Sequence, residues 1–84
     1  MIDKEILKKQ IIYRSKHRGF KEMDLLLGAF VKRYINEFND IELNDLERLL
    51  FIEDEIIYKW YLKIGSNNTI PNTRVSELLK NFKL

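Results

Sequence analysis

The chain has 84 residues, a net charge of +2, 45% hydrophobic and 12% aromatic residues, one histidine and no cysteine. This length predicts a single domain over residues 1–84, with a core that needs no disulfide or structural metal. Disulfide and thiolate chemistry are excluded, a metal site of several histidines is impossible, and no apolar run approaches the roughly 18 residues that membrane insertion would need.

Two helices are predicted in the first half of the chain. The first covers about residues 3–15, where Asp3 can cap the exposed amide groups of the first turn. The second covers about residues 20–37, and its apolar positions extend over so much of its girth that a central place in the fold is expected. Gly28 lies inside this helix, where glycine costs about 1 kcal/mol relative to alanine. We therefore expect a neighbouring helix to pack closely against it.

A third helix is predicted after a turn at Asn39 and Asp40. Asn44 is a residue type that caps helices, and Glu47 lies three positions later, where a capping box needs an acidic side chain. The third helix is therefore expected to begin at Asn44.

Two further helices are predicted in the remainder of the chain. The acidic run at residues 53–55 suits the positive N-terminal end of a fourth helix, and Gly65 is interpreted as its terminator. A polar loop then leads to a short fifth helix over about residues 72–81. The sequence thus predicts an all-α fold, a compact bundle of about five helices.

Arg18, Gly19 and Glu22 lie at the junction of the first two helices. One interpretation is a solvated ion pair between Arg18 and Glu22, four residues apart, worth at most a few tenths of a kcal/mol. The other is a docking patch, since a glycine leaves the backbone free to turn and lets another surface approach two opposite charges. In the docking patch, replacing Arg18 or Glu22 by alanine is expected to change stability by no more than about 0.5 kcal/mol.

The junction follows a basic cluster formed by Arg14, Lys16, His17 and Arg18. Residues 1–33 carry nine Lys and Arg against four Asp and Glu, whereas residues 34–84 carry six against nine. The cluster either completes the last turn of the first helix, where cations favour the carbonyl end, or meets an acidic partner. A small basic helical module that binds nucleic acid or another acidic partner through residues 4–21 is the alternative function. The low net charge argues against specific nucleic-acid binding.

No arrangement typical of an enzyme is present, and the protein is not expected to be one. His17 has only Ser15 nearby as a nucleophile, and no oxyanion-hole motif accompanies the pair. The acids at residues 53–55 are interpreted as helix-end electrostatics rather than a metal site, so no catalytic residue and no metal ligand is assigned. Three aromatic residues are interpreted as core rather than as a ligand pocket: Phe51, Trp60 and Tyr61.

Two segments resemble a known family. RSKHRGFKEMDLLLGAF at residues 14–30 and LLFIEDEIIYKWYL at residues 49–62 are similar to the two signatures of the flavinylation (assembly) factors of succinate dehydrogenase. The first contains the RGxxE string of that family, and the second its leucine pair, acid and tryptophan. Phe20 stands where many members have methionine, a change between two apolar residues.

The resemblance implies a five-helix α domain and a function that periodicity alone could not indicate. Members of the family promote covalent attachment of FAD to a histidine of the flavoprotein subunit of succinate dehydrogenase. By this resemblance the chain is an assembly factor whose partner is that subunit, or that of the related fumarate reductase, and FAD is the partner's cofactor rather than one that this chain binds stably.

The resemblance also implies which residues meet the partner. They are Arg18, Gly19 and Glu22, with Arg14, His17 and Phe20 as flanking candidates. Bacterial members are cytoplasmic and eukaryotic members act in the mitochondrial matrix. The absence of a visible targeting segment leads us to expect a bacterial cytoplasmic protein.

Overall fold

Five α-helices follow one another in the computed structural model, which describes residues 3–64 and 70–84. They are α1 (Lys4–Lys16), α2 (Lys21–Tyr34), α3 (Asp40–Leu50), α4 (Asp54–Tyr61) and α5 (Arg74–Lys80). The described residues contain no strand. The predicted all-α fold of five helices is confirmed.

The first three helices bring two chain segments together at one end of the molecule. At the start of α1, Lys4 forms an ion pair with Asp40 at the start of α3, and the same two helices also meet at their C-terminal ends. Lys8 on α1 donates a hydrogen bond to Asn36, just beyond the end of α2. Hence α1 and α3 run in the same direction while α2 runs back between their ends. The linker after α1 and the linker after α3 therefore lie side by side.

The apolar core holds this arrangement. The second helix contributes most to it, with Met23, Leu27 and Phe30 fully buried, and α1 packs against both α2 and α3 while α5 packs against α3. The buried hydrophobic residues are Leu7, Ile11, Met23, Leu26, Leu27, Phe30, Val31, Ile35, Phe38, Leu43, Leu46, Leu49, Leu50, Ile57, Ile70, Val75 and Leu79. The predicted cap of α1 is also present, since the Asp3 side chain accepts from the amide of Glu5 at 3.1 Å.

The third helix begins four residues before the predicted start. Asn39 caps α3, and a capping box joins it to Glu42: each side chain accepts a hydrogen bond from the other's backbone amide. The sequence offers two boxes of the same form, and the prediction of Asn44 as the cap was wrong. A start at Asn44 would have left Leu43 outside the helix, whereas in α3 Leu43 is completely buried.

The fourth helix contributes less to the core than predicted. Its one fully buried side chain is Ile57, whereas Trp60 and Tyr61 are only half-buried at the edge of the core. Phe51, predicted to be a core residue, is 61% exposed. The prediction was therefore wrong for Phe51, which follows the end of α3 and contacts the guanidinium of Arg14 at the surface, whereas Trp60 and Tyr61 pack against the core.

The C-terminal end of α4 is closed by a residue other than the predicted glycine. Lys63 adopts a left-handed conformation with a φ of 60°. The amide of Ile64 donates to the carbonyl of Lys59, and that of Lys63 to Trp60, which is the hydrogen-bond pattern of a Schellman motif. Gly65, predicted to terminate this helix, lies outside the described residues.

The space around Gly28 also differs from the expectation. Apart from the chain neighbours of Gly28 and the backbone of its own helix, no heavy atom of the described residues lies within 4 Å of a Cβ atom built at this position. The prediction of a closely packed neighbouring helix was therefore wrong, and the glycine costs helix stability without a visible packing benefit.

Replacing Gly28 by alanine should raise the free energy of unfolding by about 1 kcal/mol, since the methyl group fits and the helix gains propensity. Chemical denaturation measures the change. The neighbouring substitution Ala29→Gly serves as a matched control and should lower stability by a similar amount. A stability loss in Gly28→Ala would show that the site cannot accept a methyl group.

Glu42 links the start of α3 to α5 as well as capping its own helix. Its side chain is only 10% exposed and forms an ion pair with Arg74. The hydrogen bond from the Asn39 amide, and secondly the contacts with Arg74, hold the pKa of Glu42 below its ordinary value of 4.5. A carboxyl group with a lowered pKa stabilises the fold in its ionised form.

The contribution of Glu42 should therefore be complete above pH 4.5 and should disappear as the pH falls through its lowered folded-state pKa. We expect Glu42→Gln to be less stable than the wild type at pH 7, with the difference shrinking as the pH falls below this value. Melting temperatures of both proteins across this pH range measure the effect. A constant difference at all pH values would contradict it.

Candidate docking site

The predicted docking residues lie in the linker between α1 and α2, residues 17–20. This linker lies against the connection from α3 to α4, residues 51–53, because α1 and α3 end at the same end of the molecule. Arg18 in the first linker contacts Leu50 and Asp54, which flank the second connection and lie 32 and 36 residues later in the sequence.

Arg18 joins the two connections. Its Nε donates to Oδ1 of Asp54 at 2.6 Å. Its Nη1 donates to the carbonyl groups of Leu50 at 2.6 Å and Arg14 at 3.3 Å, and its Nη2 donates to that of Ile52 at 3.0 Å. The side chains of Arg18 and Asp54 are only 8% and 11% exposed. The predicted docking cation is thus mostly enclosed within the fold.

These contacts satisfy polar groups that two helix ends leave unpaired. The carbonyl of Leu50 ends α3, where the last carbonyl groups lack partners along the helix and carry partial negative charge. Asp54 begins α4, where the free amide groups favour an anion. The guanidinium of Arg18 lies between these two helix ends, with the carbonyl of Leu50 on one side and the carboxylate of Asp54 on the other.

Gly19 completes the contact. Its amide donates to Oδ2 of Asp54, so that one carboxylate holds two consecutive residues, Arg18 through its side chain and Gly19 through its backbone. A Cβ atom at Gly19 would lie 3.0 Å from that oxygen, closer than side chains normally tolerate. The close approach that the glycine allows is that of Asp54 in the same chain. A further bond, from the Arg18 amide to Oδ1 of Asp24 at 2.6 Å, fixes the linker to α2.

Glu22 lies in the first turn of α2 and is exposed. The ion pair with Arg18, one of the two interpretations of this spacing, is not formed, because Asp54 occupies the arginine. Within residues 3–64 and 70–84 no salt bridge to Glu22 is present. The carboxylate is therefore open to solvent at the start of the helix that follows Gly19.

The flanking candidates differ in how they are engaged. The guanidinium of Arg14 lies 4.1 Å from the centre of the Phe51 ring, and its buried Nε has no hydrogen-bond partner among the described residues. His17 is exposed, stacks on Tyr13 with ring centres 3.9 Å apart and has its Nδ1 2.7 Å from the Tyr13 carbonyl. Arg14 thus closes the gap between α1 and α3, whereas His17 remains on the surface.

Phe20 and Ser15 face the interior rather than solvent. Phe20 is half-buried and meets Tyr58 edge-on at 5.2 Å between ring centres. Ser15 is buried and its hydroxyl donates to the carbonyl of Ile12 at 2.8 Å, so the structure does not bring it together with His17 as a nucleophile and base. Phe20 supports the docking linker from beneath.

The described part of the chain contains no group of three or more His, Cys, Asp and Glu side chains that could hold a metal ion. None of its five helices is long and apolar enough to cross a membrane.

Asp54 is the site residue that the sequence reasoning missed. From the sequence, its carboxylate was interpreted only as a negative charge that favours the N-terminal end of a helix, a role that it does have in α4. Its second role depends on a contact with residues 35 and 36 positions earlier. The available signal was that Asp54 is the acid within the second family-like segment.

Comparison with known proteins finds a matching family and several relatives. A family model described as flavinator of succinate dehydrogenase (Sdh5) matches residues 9–83. The mitochondrial succinate dehydrogenase assembly factor 2 of Scheffersomyces stipitis is 42% identical over 77 residues, which cover 90% of this chain and 52% of the relative. The protein of the same name from Dictyostelium discoideum is 38% identical over 76 residues, covering 90% and 52%. No solved structure matches.

These findings confirm the resemblance and correct one expectation. The chain spans about half the length of the curated relatives it matches. Those relatives are named as mitochondrial proteins and come from eukaryotes, so the prediction of a bacterial cytoplasmic protein was wrong. The prediction relied on the absence of a visible targeting segment, which does not indicate location in a sequence that covers only part of its relatives.

The enclosed geometry of Arg18 changes the expected effect of its removal. Arg18→Ala should lower the free energy of unfolding by about 3 kcal/mol, because it leaves the Asp54 carboxylate without its cation and three carbonyl groups without the guanidinium donor. The earlier expectation of at most about 0.5 kcal/mol holds only for a surface arginine.

Arg33 offers the matched control for this prediction. It forms an exposed ion pair with Glu37, with side chains 58% and 56% exposed, and Arg33→Ala should cost no more than about 0.5 kcal/mol. Urea denaturation of both variants provides the comparison. Equal small losses would show that the buried pair does not stabilise the fold.

Proposed function

Because the chain belongs to the family of flavinators of succinate dehydrogenase, we propose that it binds the flavoprotein subunit of that enzyme and promotes covalent attachment of FAD to it. The observation that carries this proposal is the family match over residues 9–83, which includes both the docking linker and Asp54. The chain acts as an assembly factor and not as an enzyme. FAD belongs to the partner and is not held stably by this chain.

The surface that meets the flavoprotein lies at the linker that contains Arg18 and Gly19, and at Glu22. Exposure of Gly19 and Glu22 supports this assignment, as does the network that holds the linker in one conformation. A surface that is already ordered before binding loses less conformational freedom when the partner arrives. His17 extends this surface, whereas Arg14 and Phe20 support it from within.

A binding protein can promote a covalent reaction only by differential affinity. If it binds more tightly to the conformation in which the partner's histidine and flavin are aligned, that conformation becomes more populated. A tenfold shift needs about 1.4 kcal/mol of preference. The covalent chemistry itself is supplied by the flavin.

The relatives are named as mitochondrial proteins, which supports action of this chain in the mitochondrion. The nucleic-acid alternative is not favoured. Two of the cations on which it would depend, Arg14 and Arg18, are engaged by Phe51 and Asp54 within the fold.

The proposal is tested by mixing this protein with FAD and the flavoprotein subunit that lacks covalent flavin. We expect the yield or rate of covalent flavin to rise, measured as in-gel fluorescence after denaturation. Gly19→Arg should abolish the rise, because its side chain displaces Asp54 and blocks the surface. Gly28→Ala, at a glycine with open space around it, should retain it. Equal fluorescence with wild type, Gly19→Arg and no added protein would refute the proposal.

A further inference from the structure

We propose that Asp54 is a positioning residue of the docking surface and that Arg18 acts through it, without touching the partner. Gly19 and Glu22 are then the groups of this motif that meet the flavoprotein. This inference rests on the proposed function and deepens it. It divides the RGxxE string into one enclosed residue and two exposed ones.

Arg18 has little left to offer a partner. Of the five N–H groups of its guanidinium, four donate to oxygen atoms within the chain. Its side chain is 8% exposed, and its charge is matched by that of Asp54 at 2.6 Å. A partner could use this charge only by breaking a buried ion pair, which would leave Asp54 enclosed and unpaired.

Asp54 determines where the exposed backbone lies. Its two carboxylate oxygens hold two consecutive residues, the Arg18 side chain by Oδ1 and the Gly19 amide by Oδ2. Both bonds are charge-assisted, the stronger class of hydrogen bond. Gly19 is exposed, although its amide is held from inside, so its backbone presents a fixed face to solvent.

Glu22 has the opposite character. Its carboxylate is exposed and forms no salt bridge in the described part of the chain, whereas the neighbouring Arg18 is neutralised by Asp54. The complementary group on the partner is therefore a cation, the side chain of an arginine or a lysine. Such an exposed attraction is weakened by salt, unlike the enclosed pair.

The first test concerns the chain alone and follows hydrogen exchange of the Gly19 amide by NMR. In Asp54→Asn this amide should exchange at least tenfold faster than in the wild type, whereas exchange of the buried Leu27 amide separately measures the loss of overall stability that breaking the ion pair causes. Glu22→Gln should leave both rates unchanged. An unchanged Gly19 rate in Asp54→Asn would overturn the positioning role.

The second test measures the dissociation constant for the purified flavoprotein subunit at several salt concentrations. Glu22→Gln should bind at least tenfold more weakly and with a flatter salt dependence. The double variant Arg18→Gln, Asp54→Asn should also lose at least tenfold but keep the wild-type salt dependence, since the removed pair does not face the partner. Glu77→Gln, an exposed acid on α5, is the matched control and should bind as the wild type does.

Folding and function are kept separate by two further comparisons. Gly19→Ala, whose Cβ would lie 3.0 Å from Oδ2 of Asp54, forces the carboxylate to shift by a few tenths of an ångström without removing a charge, and it should weaken binding in the same direction if the double variant does not fold. A changed salt dependence in the double variant would assign Arg18 to the partner and overturn the inference. Wild-type affinity in Glu22→Gln would overturn this inference and leave the proposed function intact. Absence of binding by the wild type would overturn the proposed function as well.

Discussion

The buried ion pair between Arg18 and Asp54 is the interaction on which the arrangement of the helix ends depends. Removing two charges from water is costly, and their attraction offsets that cost only when other hydrogen bonds satisfy the remaining polar atoms. Here the carbonyl groups of Leu50 and Ile52 accept from the guanidinium, and Gly19 donates to the carboxylate. A lysine, with one compact charge, could not address a carboxylate and two carbonyl groups from one plane. The geometry therefore requires arginine.

The same network explains how a small helical chain can hold an ordered surface at the junction of two helices. The apolar core fixes α1 beside α3, which places the two connections in contact. The ion pair then orders a linker that would otherwise be an exposed turn. The proposed function needs this combination, because an assembly factor contributes a shape and a charge to its partner rather than a reacting group. In that proposal Glu22 supplies the charge and the exposed backbone of Gly19 supplies the shape.

Local patterns predicted the number of helices and the junction that carries the motif, because capping residues and apolar spacing act within a few residues. They could not decide between Asn39 and Asn44, since both are followed by a glutamate three residues later, and only the burial of Leu43 distinguishes them. The role of Asp54 could not be predicted at all. It depends on which helix ends meet in space, and the family resemblance indicated the residue without its contact.

The contact between Arg18 and Asp54 also has a consequence for the order in which the chain folds. The two residues are 36 positions apart, and closing a loop of that length costs about 3 kcal/mol of chain entropy. One ion pair is too weak to overcome this cost before α2 and α3 have packed. The exposed face of the linker therefore forms only on a chain whose core is already complete, and a partner that recognises this face distinguishes finished molecules from partly folded ones.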